Sequence, residues 1–243
     1  MGISESGEEG ADLTSAGGYP LPELVDWIAA ALITLGGLIL TVGGSALSFV
    51  VDRTLLEEGI ESGEITVIVF ERDLTQAEML AFTRETIFWI GIGLLVTGIG
   101  LVLFAILYVA VRHRTHRQAA ADESASSYWV YAVLGAVTTT VLSFLPFSPA
   151  LGGGVAGYLE QYGDERPVSV GALSGLLAVV PAIMILVFVA GGLFAGFATI
   201  RETGLGIVVA VAMLLVVLFT AAYGAGIGAL GGFAGGRLAE RES

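Results

Sequence analysis

Tyr223–Leu238 reads YGAGIGALGGFAGGRL, with Gly224, Gly228, Gly232 and Gly236 recurring every fourth residue and no charge before Arg237. In water such a run is a poor helix, because each glycine costs about 1 kcal/mol relative to alanine. In a bilayer the same residues let helix backbones approach closely, so the run reads as a packing surface within a membrane. It has an echo upstream: Leu151-Gly152-Gly153, three residues, then Gly157-Tyr158-Leu159 repeats the spacing of Leu230-Gly231-Gly232, three residues, then Gly236-Arg237-Leu238. Alone, the tract suggests dimerisation. Read with its echo, an internal contact holding a C-terminal bundle together comes first and dimerisation second.

Composition supports the membrane reading: the 243 residues are 55% hydrophobic and only 14% charged, where soluble domains carry about 25% charged residues. Acidic residues outnumber basic ones 23 to 10, and every basic residue is arginine. A lysine-free acidic surface is what hydration in concentrated salt favours. With no cysteine, disulfides, thiolate chemistry and Cys-ligated metals are excluded. Residues 1–23 are acidic and rich in glycine and serine, without a basic n-region; they read as a disordered cytoplasmic tail rather than a signal peptide.

Further along, residues 24–112 read as a two-helix membrane hairpin carrying an acidic external insertion at 52–85. The first span, from Leu24 to about Val51, and the second, from about Thr86 to Val111, are long enough to cross a hydrocarbon core of about 30 Å. Gly36 and Gly43 on one and Gly91 and Gly98 on the other share heptad spacing, which predicts an antiparallel pair packed through glycine faces. Within the insertion, Glu64–Phe70 suits a short strand, and Thr75-Gln76-Ala77-Glu78 matches a capping box that starts a helix at Gln76. Residues 113–127 form a basic linker begun by Arg112, Arg114 and Arg117, topology anchors that the positive-inside rule places in the cytoplasm. The N-terminus is then cytoplasmic in a multi-pass cell-membrane protein.

From Tyr128 to Leu159 the chain is apolar, too long for one span, and Pro146 and Pro149 break it. Ala150–Leu159 covers only about 15 Å as a helix, a half-helix that is either re-entrant or interfacial. Val168–Ile200 follows, with a kink expected at Pro181, then Gly204–Gly236. The fold expected is all-α: about five transmembrane helices plus a proline-broken half-helix, with 128–238 a glycine-rich bundle and 239–243 a tail. That count puts Arg201 in the cytoplasm and the C-terminus outside, against the sense of Arg237 and Arg241; a second half-helix within Tyr223–Leu238 would bring the tail back inside.

The run Leu145–Leu159, the run Val170–Leu176 leading to Pro181, and Ala229–Gly236 together resemble a haloarchaeal family of small polytopic membrane proteins catalogued as a domain of unknown function. The resemblance covers about Tyr128–Glu240. It implies a four-element membrane bundle and a haloarchaeal source, and it implies no activity.

Chemistry is conspicuous by what the sequence lacks. With Asp26 at the threshold of the first span and Glu160 just after Leu159, no Asp, Glu, Arg or His falls within an apolar segment, whereas ion-coupled carriers usually need ionisable groups there. Thr138, Thr139, Thr140 and Ser143 read first as residues bonding helix carbonyls and second as a polar path. Arg112–Arg117 includes an HxxH pair, but the adjacent arginines disfavour a cation, and Glu57, Glu58, Glu61 and Glu64 read as a solvated surface. No enzyme activity, catalytic residue, cofactor, metal or nucleic acid is expected. The expected partners are the lipid bilayer and, through glycine faces, further copies or other membrane proteins. The expected role is structural or interactional, with a small channel or facilitator at the Pro146–Gly157 half-helix as the alternative.

Overall fold

The computed structural model describes residues 23–51, 53–65, 74–118, 124–145, 147–160 and 166–241. Among them no strand occurs, and the order is α1 (Glu23–Ser45, prolonged by one π turn, Ala46–Val50), α2 (Arg53–Glu61), α3 (Gln76–Gln118), α4 (Ser124–Val141), α5 (Ser148–Glu160), α6 (Pro167–Thr199) and α7 (Thr203–Ala239). The tail before residue 23, most of the strand expected at Glu64–Phe70, and Pro146 lie outside the described residues.

Four helices are long and apolar enough to cross a membrane: Leu24–Phe49, Gln76–Val111, Pro167–Thr199 and Thr203–Ala239. The apolar part of α4, Tyr128–Val141, is about 20 Å long at 1.5 Å per residue, and the 13-residue α5 is of similar length. Each falls short of a hydrocarbon core of about 30 Å. The reason the sequence suggested a further span is that the Tyr128–Leu159 run adds two short antiparallel helices end to end.

α1 and α3 are antiparallel, but their contact uses the glycines next to those expected on α1. A Cβ at Gly37 would lie 2.8 Å from the Gly98 carbonyl oxygen, and one at Gly44 would lie 2.6 Å from that of Gly91. At Gly36 and Gly43 a Cβ would meet nothing within 4 Å; they sit about 100° round the helix from their neighbours and face away from α3. On α3, the capping box closes at the N-terminus: Glu78 N–H donates to Thr75 Oγ1 (3.3 Å) and Thr75 N–H to Glu78 Oε2 (3.0 Å). At the other end the Tyr108 hydroxyl donates to Asp26 Oδ1 at 2.6 Å, joining α3 to α1 in a buried site.

α6 is continuous through Pro181 and changes partners along its length. Its buried residues fall in two groups, Val170 to Gly175 and Gly192 to Phe197, with none between. The first group faces α4, α5 and α7: Gly135 abuts Ser174, and Gly171 abuts Gly228. The second faces α3, where Gly192 meets Trp89 and Gly196 meets Phe82, and Phe82 and Phe197 stack edge to face with centroids 5.1 Å apart.

These registers define two ends of the bundle. Leu74, Phe82, Phe197 and Ile200 cluster at one, with Leu205 against them. The α6–α7 turn therefore sits at the end that carries α2 and the acidic insertion. Ala29, Val130 and Leu134 cluster toward the other, with Val25 and Leu159, and there Gly232 and Gly236 abut Pro167. The C-terminus of α7 thus shares an end with the last turns of α3. The five-span count separated Arg201 from the insertion and Arg237 from Arg112, whereas in the bundle the members of each pair share an end. α4 and α5 are antiparallel, with Gly135 against Ala156 and Thr139 against Gly152, so α5 ends at the level where α4 begins.

Candidate functional site

Among the described residues, α5, α6 and α7 meet backbone to backbone at a junction built almost wholly from glycine. A helix presents residues three and four apart on one face, so a glycine every fourth residue strips that face of side chains. On α5, a Cβ at Gly153 would stand 2.9 Å from the Gly228 Cα, and one at Gly157 would stand 2.6 Å from the Gly232 Cα. On α6, a Cβ at Gly171 would stand 2.7 Å from the same Gly232 Cα. Gly228 and Gly232 are therefore shared, each closing on α5 along one side and on α6 along the other. Gly224 extends the α6 contact, where a Cβ would lie 2.8 Å from the Gly175 oxygen, and Gly236 ends it against Pro167 at 2.7 Å. α5 runs parallel to α7, since Gly153 pairs with Gly228 and Gly157 with Gly232, while α6 runs antiparallel.

Of the residues singled out in the sequence, Gly153, Gly157, Gly224, Gly228, Gly232 and Gly236 meet at this junction, while Gly91 and Gly98 lie in the separate α1–α3 contact. Pro149 sits in the first turn of α5, where a missing N–H costs no helix hydrogen bond. Pro181 lies inside α6 between its two buried groups, and Arg112, Arg114 and Arg117 fall on the last turns of α3. Gly171, Gly175, Gly231 and Gly235 join the junction as well; their signal was the GxxxG pairing at Gly171 and Gly175 and the glycine doublets on α7.

The polar groups of the bundle are few. Thr138, Thr139 and Thr140 donate to the carbonyls of Leu134, Gly135 and Ala136 at 2.9, 3.0 and 2.9 Å, each four residues back on its own helix. The donor proton of each hydroxyl is committed to its own helix, leaving acceptor lone pairs. Ser174 is fully buried, and its hydroxyl has no hydrogen-bond partner among the described residues. Two carboxylates are buried that the sequence placed at segment thresholds: Asp26, held by Tyr108, and Glu160, 1% exposed at the end of α5. The signal for Asp26 was its level opposite Tyr108 in an antiparallel hairpin. Among the described residues no three His, Asp or Glu side chains converge.

Between α4 and α5, the described residues 142–145 and 147 carry large side chains that are apolar and exposed: Phe144 is 76% and Phe147 63% accessible. Leu145 N–H donates to the Leu142 carbonyl at 2.8 Å, and Leu142 N–H to that of Thr138 at 3.0 Å. An exposed apolar surface with amides turned inward is suited to hydrocarbon.

Four apolar helices of spanning length define the class, a multi-pass α-helical membrane protein. Within it, residues 129–238, from α4 to the end of α7, match the model of a family described as a family of unknown function, DUF5518. No curated protein and no solved structure matches the chain.

Proposed function

We propose that the chain is a non-enzymatic structural or interaction protein of the cell membrane, its C-terminal half held together by the α5–α6–α7 glycine junction. The observation that carries this reading is the approach of backbone to backbone at Gly153, Gly157, Gly171, Gly228 and Gly232. In a bilayer, where burying apolar side chains gains little over lipid, such close approach is the main source of helix association. The same surface leaves no room between the three helices for a substrate. The N-terminus and the arginine-bearing end of α3 are assigned to the cytoplasm by the positive-inside rule. The acidic, lysine-free exterior is read as hydration in concentrated salt of the kind haloarchaea maintain. Gly36 and Gly43, which face outward from α1, are the positions at which a second copy or another membrane helix would be received.

Two pairs of variants separate internal packing from association. Gly228→Leu and Gly232→Leu should prevent a stable fold in detergent, whereas Gly36→Leu and Gly43→Leu should leave it intact and lower self-association, read by light scattering. Reconstituted liposomes should pass ions and small solutes no faster than protein-free ones. Flux that Pro149→Ala or Gly153→Leu abolishes would replace this reading with that of a small channel or facilitator.

A further inference from the structure

From the helix registers we infer that α4 and α5 form a re-entrant hairpin confined to one leaflet, and that the resulting wedge makes the protein a binder of curved membrane whose basic-end leaflet is convex. The inference deepens the structural reading above. Depth follows from α3 and α6. α3 carries no charged residue from Thr86 to Val111, between Glu85 and Arg112, and the middle of such a stretch belongs at the middle of the hydrocarbon core. That middle is close to Gly98. α3 and α6 are antiparallel, with Gly93 against Phe188 and Gly192 against Trp89, so the middle of the membrane crosses α6 near Ile183. α4 runs parallel to α6, with Gly135 against Ser174 and Tyr131 clustered with Val170. Carried forward, that register puts Val141, the last residue of α4, level with about Val180 and the turn after it at mid-membrane.

A second observation agrees with this depth. On α7 a buried glycine face, Gly224, Gly228, Gly231, Gly232, Gly235 and Gly236, coincides with the stretch that α5 accompanies, while no residue between Gly206 and Gly224 is buried. The outer face, with Leu230 and Phe233 as with Leu215 and Phe219, is exposed along both stretches. The turn itself exposes Val141, Phe144 and Phe147, the chemistry of the hydrocarbon centre and not of a water interface.

The consequence is a difference in cross-section. In the half that holds Ala29, Tyr108, Val130, Gly157, Val170 and Gly232, all of α1, α3, α4, α5, α6 and α7 are present; in the half that holds Phe82 and Phe197, the long helices among the described residues are α1, α3, α6 and α7, with the short polar α2 at their end. Two added helices, each about 10 Å across, enlarge one leaflet by roughly 150 Å². The wide half is the one beside Arg112, Arg166 and Arg237. Lipid area in that leaflet is displaced, and the displacement costs least where the leaflet is convex.

The full-length protein, which has no native cysteine, tests this with two single-cysteine variants. Ser124→Cys marks the wide end and Ser62→Cys the other; each is reconstituted from detergent into small sonicated and large extruded vesicles and labelled with an impermeant maleimide. The outer leaflet of a small vesicle is convex, so labelling of Ser124→Cys should rise as vesicles shrink and labelling of Ser62→Cys should fall. Labelling independent of vesicle size overturns the curvature preference. A third variant, Ser143→Cys carrying an environment-sensitive fluorophore, reads depth directly. Quenching by mid-chain spin-labelled lipid supports the hairpin, while quenching by headgroup quenchers alone shows that α4 crosses and overturns it. Neither readout depends on ion flux or self-association, so the structural reading stands or falls separately.

Discussion

Phe147 and Arg201 carry backbone in the left-handed region, with φ of 65° and 62°, although neither residue type favours it. For an L-residue other than glycine this costs about 1–2 kcal/mol. Arg201 closes α6, its N–H donating to the Ala198 carbonyl at 3.2 Å, and its side chain is exposed. Arg201→Gly should therefore raise stability by about 1 kcal/mol, seen as a higher Tm in detergent. Nothing in the local sequence announced either position, because both conformations are imposed by the sharp reversal between two packed helices. At the glycine junction the sign is opposite. Gly228→Ala puts a methyl against the Gly171 carbonyl and should cost about 1–3 kcal/mol, the usual penalty for overpacking. Gly36→Ala, with open space at its Cβ, should be neutral or slightly stabilising; the contrast between the two is measurable in one unfolding series.

At the scale of the helix, the glycine pattern reported period but not phase. Gly36-Gly37 and Gly43-Gly44 are doublets seven residues apart, so both members satisfy a heptad and only the partner surface selects the second. On α7 the period was four, and an isolated Gly224 or Gly228 has no doublet to confuse it, which is why those positions fell on the junction. Helix length was harder. Pro149 marked where α5 begins, but the shortness of α4 was hidden, because Tyr128–Leu159 is apolar on both limbs of the hairpin and hydropathy sums them. The α1–α3 pair has one tie that hydropathy could not reveal, the buried Tyr108 hydroxyl bonded to Asp26 at 2.6 Å. Hydrogen bonds between membrane helices contribute about 0.6–1.7 kcal/mol. Tyr108→Phe should lower stability by that amount in a denaturing-detergent titration, and Asp26→Asn, which keeps an acceptor oxygen, should cost less than Asp26→Ala.

The whole molecule is ordered by parity. If α4 crossed the bilayer, α6 would start outside, the α6–α7 turn would be cytoplasmic and the C-terminus external, leaving Arg237 and Arg241 on the side that arginine avoids. With α4 and α5 returning to the end they left, α6 starts beside the end of α3, and Arg112, Arg114, Arg117, Arg166, Arg237 and Arg241 share one end of the bundle. Arg53, Arg84 and Arg201 belong to the other end. The arginine distribution that contradicted the sequence count then follows the positive-inside rule with no second half-helix in α7, which runs unbroken from Thr203 to Ala239. Impermeant labelling of single cysteines in intact cells decides between the two arrangements, whichever way the protein faces. Thr203→Cys should react from the same side as Ser62→Cys, and Glu240→Cys from the same side as Ser124→Cys. A crossing α4 predicts the reverse pairing, Thr203→Cys with Ser124→Cys. The result is insensitive to salt screening, because it compares positions within one molecule and not the strength of any charge effect.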